Sequence, residues 1–366
     1  MTGTCETYIG SMTFPHRERQ MNVIPLLDVR RGGPVAHTRA RVAAAVALRE
    51  LCLAPIPRWS RDVCLSSIDH IAAKWLRSSV STYGEDLRDV ARILGFPGAL
   101  TLNMSYLFAC TTSAAPGPNG APLLRRSLDW PFDGLGRCVE IAWQSGPAGD
   151  FYNVTWPGAV GVLSAMAPGR FCAVINQAPM RRRTRGLIGL PYDAMLNLGN
   201  ALMREDGWPP DHLLRLAFET CESFEDAIAL LSREPLARPA LFTLTGTRPD
   251  EMAVVERTER EALVLRGHAT VANDWQMPRQ GWNGRMGLEN NEARKAAMRG
   301  FAPGGPAFRW AVPPVLNATT RLVVEMSAAG AGDLRARGYE AASWNSLPTP
   351  ATRDFHLRDA APALAA

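Results

Sequence analysis

Through the first hundred residues the apolar positions recur at helical spacing; from about Gly98 they become short apolar runs set off by turn residues. The helical pattern predicts a first helix over His37–Leu53, Ala-rich and apolar on one face. A second is expected over Ser60–Val80 with Ser60 as its N-cap, and a third over Gly84–Phe96 with acidic residues in its first turn. The strand block then predicts Leu107–Ser113, Pro122–Leu128, Cys138–Gln144, Tyr152–Trp156, Ala159–Ala165 and Arg170–Ile175, with Gly and Pro in the gaps. Helices are expected over Pro191–Glu205, over Asp211–Cys221 capped by Asp211, and over Ser223–Ser232, where Ser223 and Asp226 have capping-box spacing. Strands return at Ala240–Gly246, Met252–Arg257, Ala262–Gly267 and Ala269–Asp274, followed by a helix over Glu289–Met298. The tail Arg358–Ala366 is expected to be disordered.

This order of blocks suits an α+β fold, with two antiparallel sheets and helices packed on their outer faces. Strands and helices do not alternate singly, which argues against a doubly wound parallel sheet.

Composition narrows the class. The 366 residues are 46% apolar and 20% charged, the profile of a soluble globular protein, and no apolar run is long enough to predict a transmembrane helix. The start, "MTGTCETYIGSMTFPHRERQ", lacks a basic region followed by an apolar one, so no signal peptide and a cytoplasmic location are expected. The seven Cys form no CxxC pair and no zinc-spaced cluster, and reduced thiols are the simpler reading. The net charge of +5 comes almost wholly from Arg. Its densest run, "MRRRTRG" from Met180 to Gly186, has no interleaved aromatics and matches no nucleic-acid motif. It reads as a solvated loop, with peripheral contact to an anionic or lipid surface the alternative.

Candidate chemistry centres on Cys110, at the head of the hairpin "LFACTTSAAPGPNGAPLLRRSLDWPFDG". None of the six His sits in a recognisable partner motif for a Cys–His pair. Another base becomes available if the Ala109–Cys110 peptide bond is cut. Cys110 then carries a free α-amine, with a pKa of about 7.7–8.0, suited to general-base work at neutral pH. Such a site needs a carboxylate to orient the amine, a cation beside the thiolate and donors for an oxyanion. The returning strand of the hairpin offers Arg126 and Asp129.

"LNMSYLFACTTS" followed by "RRSLDWPF" resembles the N-terminal-nucleophile (Ntn) cysteine hydrolases of the acid ceramidase and N-acylethanolamine acid amidase type, related to the choloylglycine hydrolase and penicillin V acylase group. In that family the precursor cuts itself before a Cys in a C-T-S context, and an R-N-L-D segment follows. Cys110, Arg126 and Asp129 keep its spacing, and Ser127 replaces the usual Asn. "GVLSAMAPGRFCAVINQAP" resembles a second family segment and places Gln177 where a Glu is common; Gln can hydrogen-bond there but cannot ionise. "TVANDW" matches the stretch ending in a family Asn, which makes Asn273 an oxyanion-hole donor. A family Arg further on matches Arg294, with Arg285 the alternative. The resemblance runs from about Ile24 to Met298 and is most specific at Cys110–Trp130.

The resemblance implies an αββα sandwich, a helical segment 1–109 removed or kept associated after self-cleavage, and a catalytic segment 110–366. It implies a zymogen whose Cys110 thiol attacks the linear amide of a small N-acyl substrate, fatty-acyl or ceramide-like, with no cofactor and no metal. Other readings stay open. The thioester could pass to an amine, as in an acyltransferase, or the fold could be a non-catalytic lipid or anion binder. A lone Cys in an apolar strand is more often a core thiol, so the combination with Arg126 and Asp129 carries the weight. Asn273 and Asn176 could be strand-end residues. Trp130, Phe132, Trp156 and Trp275 could line an acyl pocket or simply pack.

Overall fold

The computed structural model describes residues 21–103, 108–184, 189–202, 206–284, 287–301, 304–343 and 345–364. The N-terminal stretch read for a leader, Arg285 and Arg185 lie outside the described residues.

The chain starts with strand β1 (Leu26–Asp28), then helices α1 (Gly33–Ala40), α2 (Val42–Cys52), α3 (Arg58–Ser78), α4 (Gly84–Leu94) and α5 (Ala99–Asn103). The first strand block is β2 (Ala109–Pro116), β3 (Pro122–Asp129), β4 (Glu140–Gly146), β5 (Gly149–Thr155), β6 (Ser164–Ala167), β7 (Phe171–Gln177) and β8 (Met180–Arg181). Helices α6 (Leu190–Leu202), α7 (Pro210–Thr220) and α8 (Phe224–Arg233) follow. The second block is β9 (Ala240–Thr245), β10 (Met252–Arg257), β11 (Ala262–Arg266), β12 (Ala269–Val271) and β13 (Trp282–Asn283), then α9 (Leu288–Arg299). The chain ends with β14 (Thr320–Ser327), β15 (Asp333–Glu340), β16 (Thr349–Pro350), β17 (Phe355–His356) and β18 (Ala363–Leu364).

These make two large sheets. One has the order β11-β10-β9-β7-β6-β5-β4-β1-β18; the other runs β12-β2-β3-β14-β15-β16, with β17 also on β15. The inner faces of β2, β3 and β14 pack on β7 and β9. Cys110, Leu124, Leu128, Val324, Ile175 and Phe242 meet there with essentially no exposure. Helices α7 and α8 cover the outer face of the nine-stranded sheet, and α9 covers the outer face of the other. Phe218 of α7 stacks on Phe171 and Phe151, at 4.7 and 5.5 Å between ring centroids. Burying one such ring contributes about 2–3 kcal/mol. The four layers are the expected αββα sandwich. At one edge, however, the pairing is parallel: β1 lies between β4 and β18 and runs parallel to both.

Local departures have physical causes. The first expected helix breaks at Arg41, which leaves helical geometry (φ −123°, ψ 19°) while its side chain reaches buried Glu140. The long α3 and α7 are capped by Pro57 and Pro209, not by Ser60 and Asp211. Each proline holds φ near −55° and offers its carbonyl to the first turn. Ser223 does cap α8, accepting from Asp226 N at 3.1 Å. Strands β14 and β15 fall in a stretch that the apolar pattern left without elements. The tail expected to be disordered instead ends in β18, paired with Leu27 and Asp28.

A close approach fixes β15 against the turn at Leu135–Arg137. A Cβ on Gly136 would lie 1.9 Å from the Tyr339 carbonyl oxygen, so only glycine fits. Among the described residues no helix is long and apolar enough to cross a membrane.

Candidate active site

Side chains alternate across a strand, so β2 sends Cys110 and Thr112 toward the second sheet and Thr111 and Ser113 toward α9. Cys110 is fully buried, and three different side chains hold its three polar groups.

Its thiol faces Arg126 on the neighbouring strand β3, with Nη2 3.0 Å from Sγ. The same nitrogen donates to the Ile175 carbonyl at 2.9 Å; Nη1 donates to the Leu163 carbonyl at 2.9 Å and to Ser164 Oγ. Its backbone N–H donates to Asn273 Oδ1 at 3.0 Å. Its carbonyl accepts from Arg294 Nη1 at 2.7 Å. Arg294 enters from α9, is fully buried, and also donates to Thr111 Oγ1 (3.0 Å), Asn273 Oδ1 (3.1 Å), Asn291 Oδ1 (2.5 Å) and Asn290 Oδ1 (2.8 Å). Asn290 and Asn291 lie one turn before Arg294, at the spacing that puts residues on one helix face.

Asp129 pairs with Ala109 across the β2–β3 ladder. Its Oδ1 accepts from Thr320 Oγ1 at 2.7 Å. Its Oδ2 has no hydrogen-bond partner among the described residues and lies 3.7 Å from Arg294 Nη1. Burial raises the Asp129 pKa above the ordinary carboxylate value, opposed by Arg294 and by hydrogen bonding. Burial likewise raises the Cys110 thiol, with Arg126 the chief opposing influence. In the intact chain the thiol is therefore dry and mostly protonated, beside a cation that favours its ionised form.

The fold thus gathers Cys110, Arg126, Asp129, Asn273 and Arg294 around the Ala109–Cys110 bond. Gln177 enters through its backbone, whose carbonyl accepts from Asn273 Nδ2 at 2.9 Å. Asn273 was expected to offer its amide to an oxyanion. That amide is engaged on Gln177, and the carbonyl end faces the Cys110 nitrogen. Asn176 accepts from Thr112 Oγ1 at 2.7 Å and donates to the Ala272 carbonyl at 2.9 Å, tying the sheets together beside the site. Sequence reasoning missed Thr111, Asn291 and Thr320. The Asn pair preceding Arg294 was a legible signal; Thr320 lies in a strand that was not foreseen.

An apolar cavity of about 110 Å³ opens beside the site. Trp130, Phe132 and Trp156 line it from the sandwich, Leu48 and Leu94 from α2 and α4, and Phe96 from the loop after α4. Leu163 lines it too, and its carbonyl is one of the two held by Arg126. Trp275 does not line this cavity; it packs edge-on against Trp282, 5.4 Å between centroids. Asp211 forms part of the cavity wall, and burial pushes its pKa up to about 7. The basic run is partly neutralised where described: Arg181 pairs with Glu259 at 2.7 Å and Arg182 with Asp193 at 2.9 Å. Paired guanidiniums leave less charge for an anionic surface than the sequence suggested.

No family model matches the chain. It is 27% identical over 237 residues to an N-acylethanolamine-hydrolyzing acid amidase of Oryctolagus cuniculus, covering 63% of this chain and 60% of that one. It is 23% identical over 218 residues to an acid ceramidase of Mus musculus, covering 54% and 53%. The chain spans a little over half of the length of the curated relatives it matches. Among solved structures, the Caenorhabditis elegans N-acylethanolamine-hydrolyzing acid amidase ortholog aligns with a TM-score of 0.47 at 17% identity, over 60% of this chain and 93% of that one. By sequence the chain is similar to these acid amidases and to acid ceramidase over a little more than half of its length.

Proposed function

We propose that the chain is a self-cleaving cysteine amidase that hydrolyses the linear amide bond of a small N-acyl compound through a thioester on Cys110. The observation that carries this reading is the separate grip on the nitrogen, carbonyl and sulfur of Cys110 by Asn273, Arg294 and Arg126. A core thiol needs none of these, and burying two guanidiniums to hold one is costly.

In the first stage the Cys110 sulfur attacks the Ala109 carbonyl carbon. The C–N bond breaks, the nitrogen keeps a proton given up by the thiol, and Ala109 is left as a thioester on Cys110. Water then attacks that thioester, which frees the Ala109 carboxyl group and restores the thiol. The new α-amine retains the Asn273 oxygen as acceptor and has the Asp129 carboxylate nearby to orient it. In the second stage the thiol gives its proton to the α-amine and attacks the substrate amide. Arg126 lowers the cost of the sulfur's charge, and Asn273 Nδ2 with backbone N–H groups receives the oxyanion. The α-amine passes the proton to the departing amine, and water releases the acid from the thioester.

On this reading residues 1–109 remain bound after the cut. Support comes from β1 lying inside the nine-stranded sheet and from polar ties across the junction: His37 Nε2 to Glu140 Oε2 (2.8 Å), Ser81 Oγ to His212 Nδ1 (2.8 Å) and Tyr83 OH to Glu219 Oε2 (2.6 Å). The apolar cavity, walled by both segments, has the lining a hydrocarbon chain requires, and its volume of about 110 Å³ admits only a short part of one.

Intact-mass measurement of the purified protein at neutral and mildly acidic pH tests the proposal, paired with a fluorogenic N-acyl amide assay. We expect two fragments parting between Ala109 and Cys110, amide hydrolysis by the cut form, and neither in Cys110→Ala. A chain that stays whole under both conditions and shows no amidase activity would sink it.

A further inference from the structure

A second cleft, of about 520 Å³, opens where the β2–β12 edge meets the β11–β12 turn and the end of α9. Its ionisable lining is uniformly basic: Arg125, Arg266, His268 and Arg299. Two of these already have carboxylate partners. Arg266 pairs with Glu225 through two contacts of 2.7 Å, and Arg299 lies 3.8 Å from Glu292.

Arg125 differs. It is 93% buried and makes no ion pair among the described residues. Among the described residues its one hydrogen bond is long, 3.4 Å from Nη1 to the Phe301 carbonyl, and its buried Nε has no partner. The carboxylate opposite it on the β3–β14 ladder, Glu325, spends its Oε1 on Phe308 N (3.2 Å) and Trp310 Nε1 (2.7 Å). Burial holds the Arg125 pKa below the ordinary guanidinium value, with Glu325 offsetting only part of the shift. A second buried donor in the same cleft, the Gln276 side-chain Nε2, has no partner among the described residues. Buried polar groups normally find partners, and buried cations need a counter-charge.

We infer that this cleft binds a small organic anion, with a phosphate or carboxylate head seated on Arg125 and Gln276. A guanidinium matches either head with paired N–H donors. The volume is that of a whole small-molecule site, so the head would carry an organic body along Met298 and Phe301. The site is distinct from the one at Cys110. Arg125 and Arg126 are consecutive on β3 and point to opposite faces of the sheet, Arg126 toward the thiol and Arg125 toward α9 and Phe301. The cleft and the thiol nevertheless share strands, because Ser113 of β2 lines the cleft three residues after Cys110.

The test uses the full chain carrying Cys110→Ala, which keeps it whole and separates the result from the amidase proposal. Inorganic phosphate, glycerol 3-phosphate and hexanoate are titrated by calorimetry at constant ionic strength, with sodium chloride as the blank. We expect saturable one-to-one binding of at least one of the three at millimolar concentration or below. Preference for the phosphates or for hexanoate identifies the head group. Affinity should fall about 10-fold or more in Arg125→Met and by a smaller factor in Gln276→Leu. Should Arg125→Met fail to fold, Gln276→Leu alone gives the comparison. No saturable binding of any probe, or binding unchanged in the folded variants, overturns the inference.

Discussion

Replacing Arg126 with Met separates the electrostatic part of the Cys110 site from its packing. Met nearly matches the length of the Arg stem and removes the charge. The lost contacts are the thiol at 3.0 Å, the Leu163 and Ile175 carbonyls at 2.9 Å each, and Ser164 Oγ. The structural cost is modest. The Leu163 carbonyl keeps the Ile175 N–H at 3.1 Å, and removing a buried cation recovers its desolvation penalty. We expect the stability of the uncut chain to change by no more than about 2 kcal/mol. The chemical cost is larger. Burial already holds the thiol above its ordinary range, with Arg126 as the main counterweight, so losing Arg126 pushes it higher still. A hydrogen bond to a charged group is worth about 1.5–3 kcal/mol, which corresponds to cleavage roughly 10- to 100-fold slower at a given pH. Intact-mass time courses give the rate, and urea unfolding of the same substitution on the Cys110→Ala background gives the stability. Arg126→Lys should recover part of the rate, since it keeps the charge but cannot span all four acceptors. If Arg126→Met keeps its stability and cleaves within about two-fold of wild type, Arg126 does not act on the sulfur as argued.

Other expectations follow from the same geometry. Asn273→Leu removes the acceptor for the Cys110 N–H and for Arg294 Nη2, and intact-mass kinetics should show cleavage slowed about 10- to 100-fold. Asp211 has a folded-state pKa of about 7 against 3.8 for the free group, so over that window the folded state holds a proton the unfolded state has released. Stability should therefore fall as pH rises from about 5 to 7, by at most roughly 1.4 kcal/mol per unit, and urea unfolding of Asp211→Asn should show a flatter profile. Gly136→Ala drives a methyl group into the Tyr339 carbonyl, and thermal melting should show a loss of several kcal/mol or no folded protein.

The sequence made most of the sandwich readable because strands buried on one or both faces leave short apolar runs bounded by Gly and Pro. Cys110, Arg126 and Asp129 were readable because a hairpin converts a fixed spacing into a fixed register. Asp129 sits opposite Ala109, and Arg126 opposite Thr112. Strand β14, "TRLVVEMS", carries such a run at Leu322–Val324 and was overlooked, whereas β15 was not readable. "DLRARGYE" places Asp333, Arg335 and Arg337 on a half-buried face, and its register is set by β14 and the Gly136 contact rather than by its own composition. The orientation of the Asn273 amide was likewise invisible, since it depends on which neighbours reach each end. The helix caps at Pro57 and Pro209 were misplaced because side-chain capping was weighed above the φ that proline fixes.

The parallel strand β1 carries a thermodynamic consequence. Its two hydrogen-bonding partners, β4 and β18, both lie after Cys110 in the chain. While the chain is whole, recovery from denaturant is a first-order event with β1 tethered to its slot. Once the Ala109–Cys110 bond is gone, the same slot must be filled by a separate molecule. Recovery becomes second order, and its yield depends on protein concentration. The cut would thus act as a ratchet: it leaves the folded shape in place while removing the covalent memory needed to rebuild it from dilute solution.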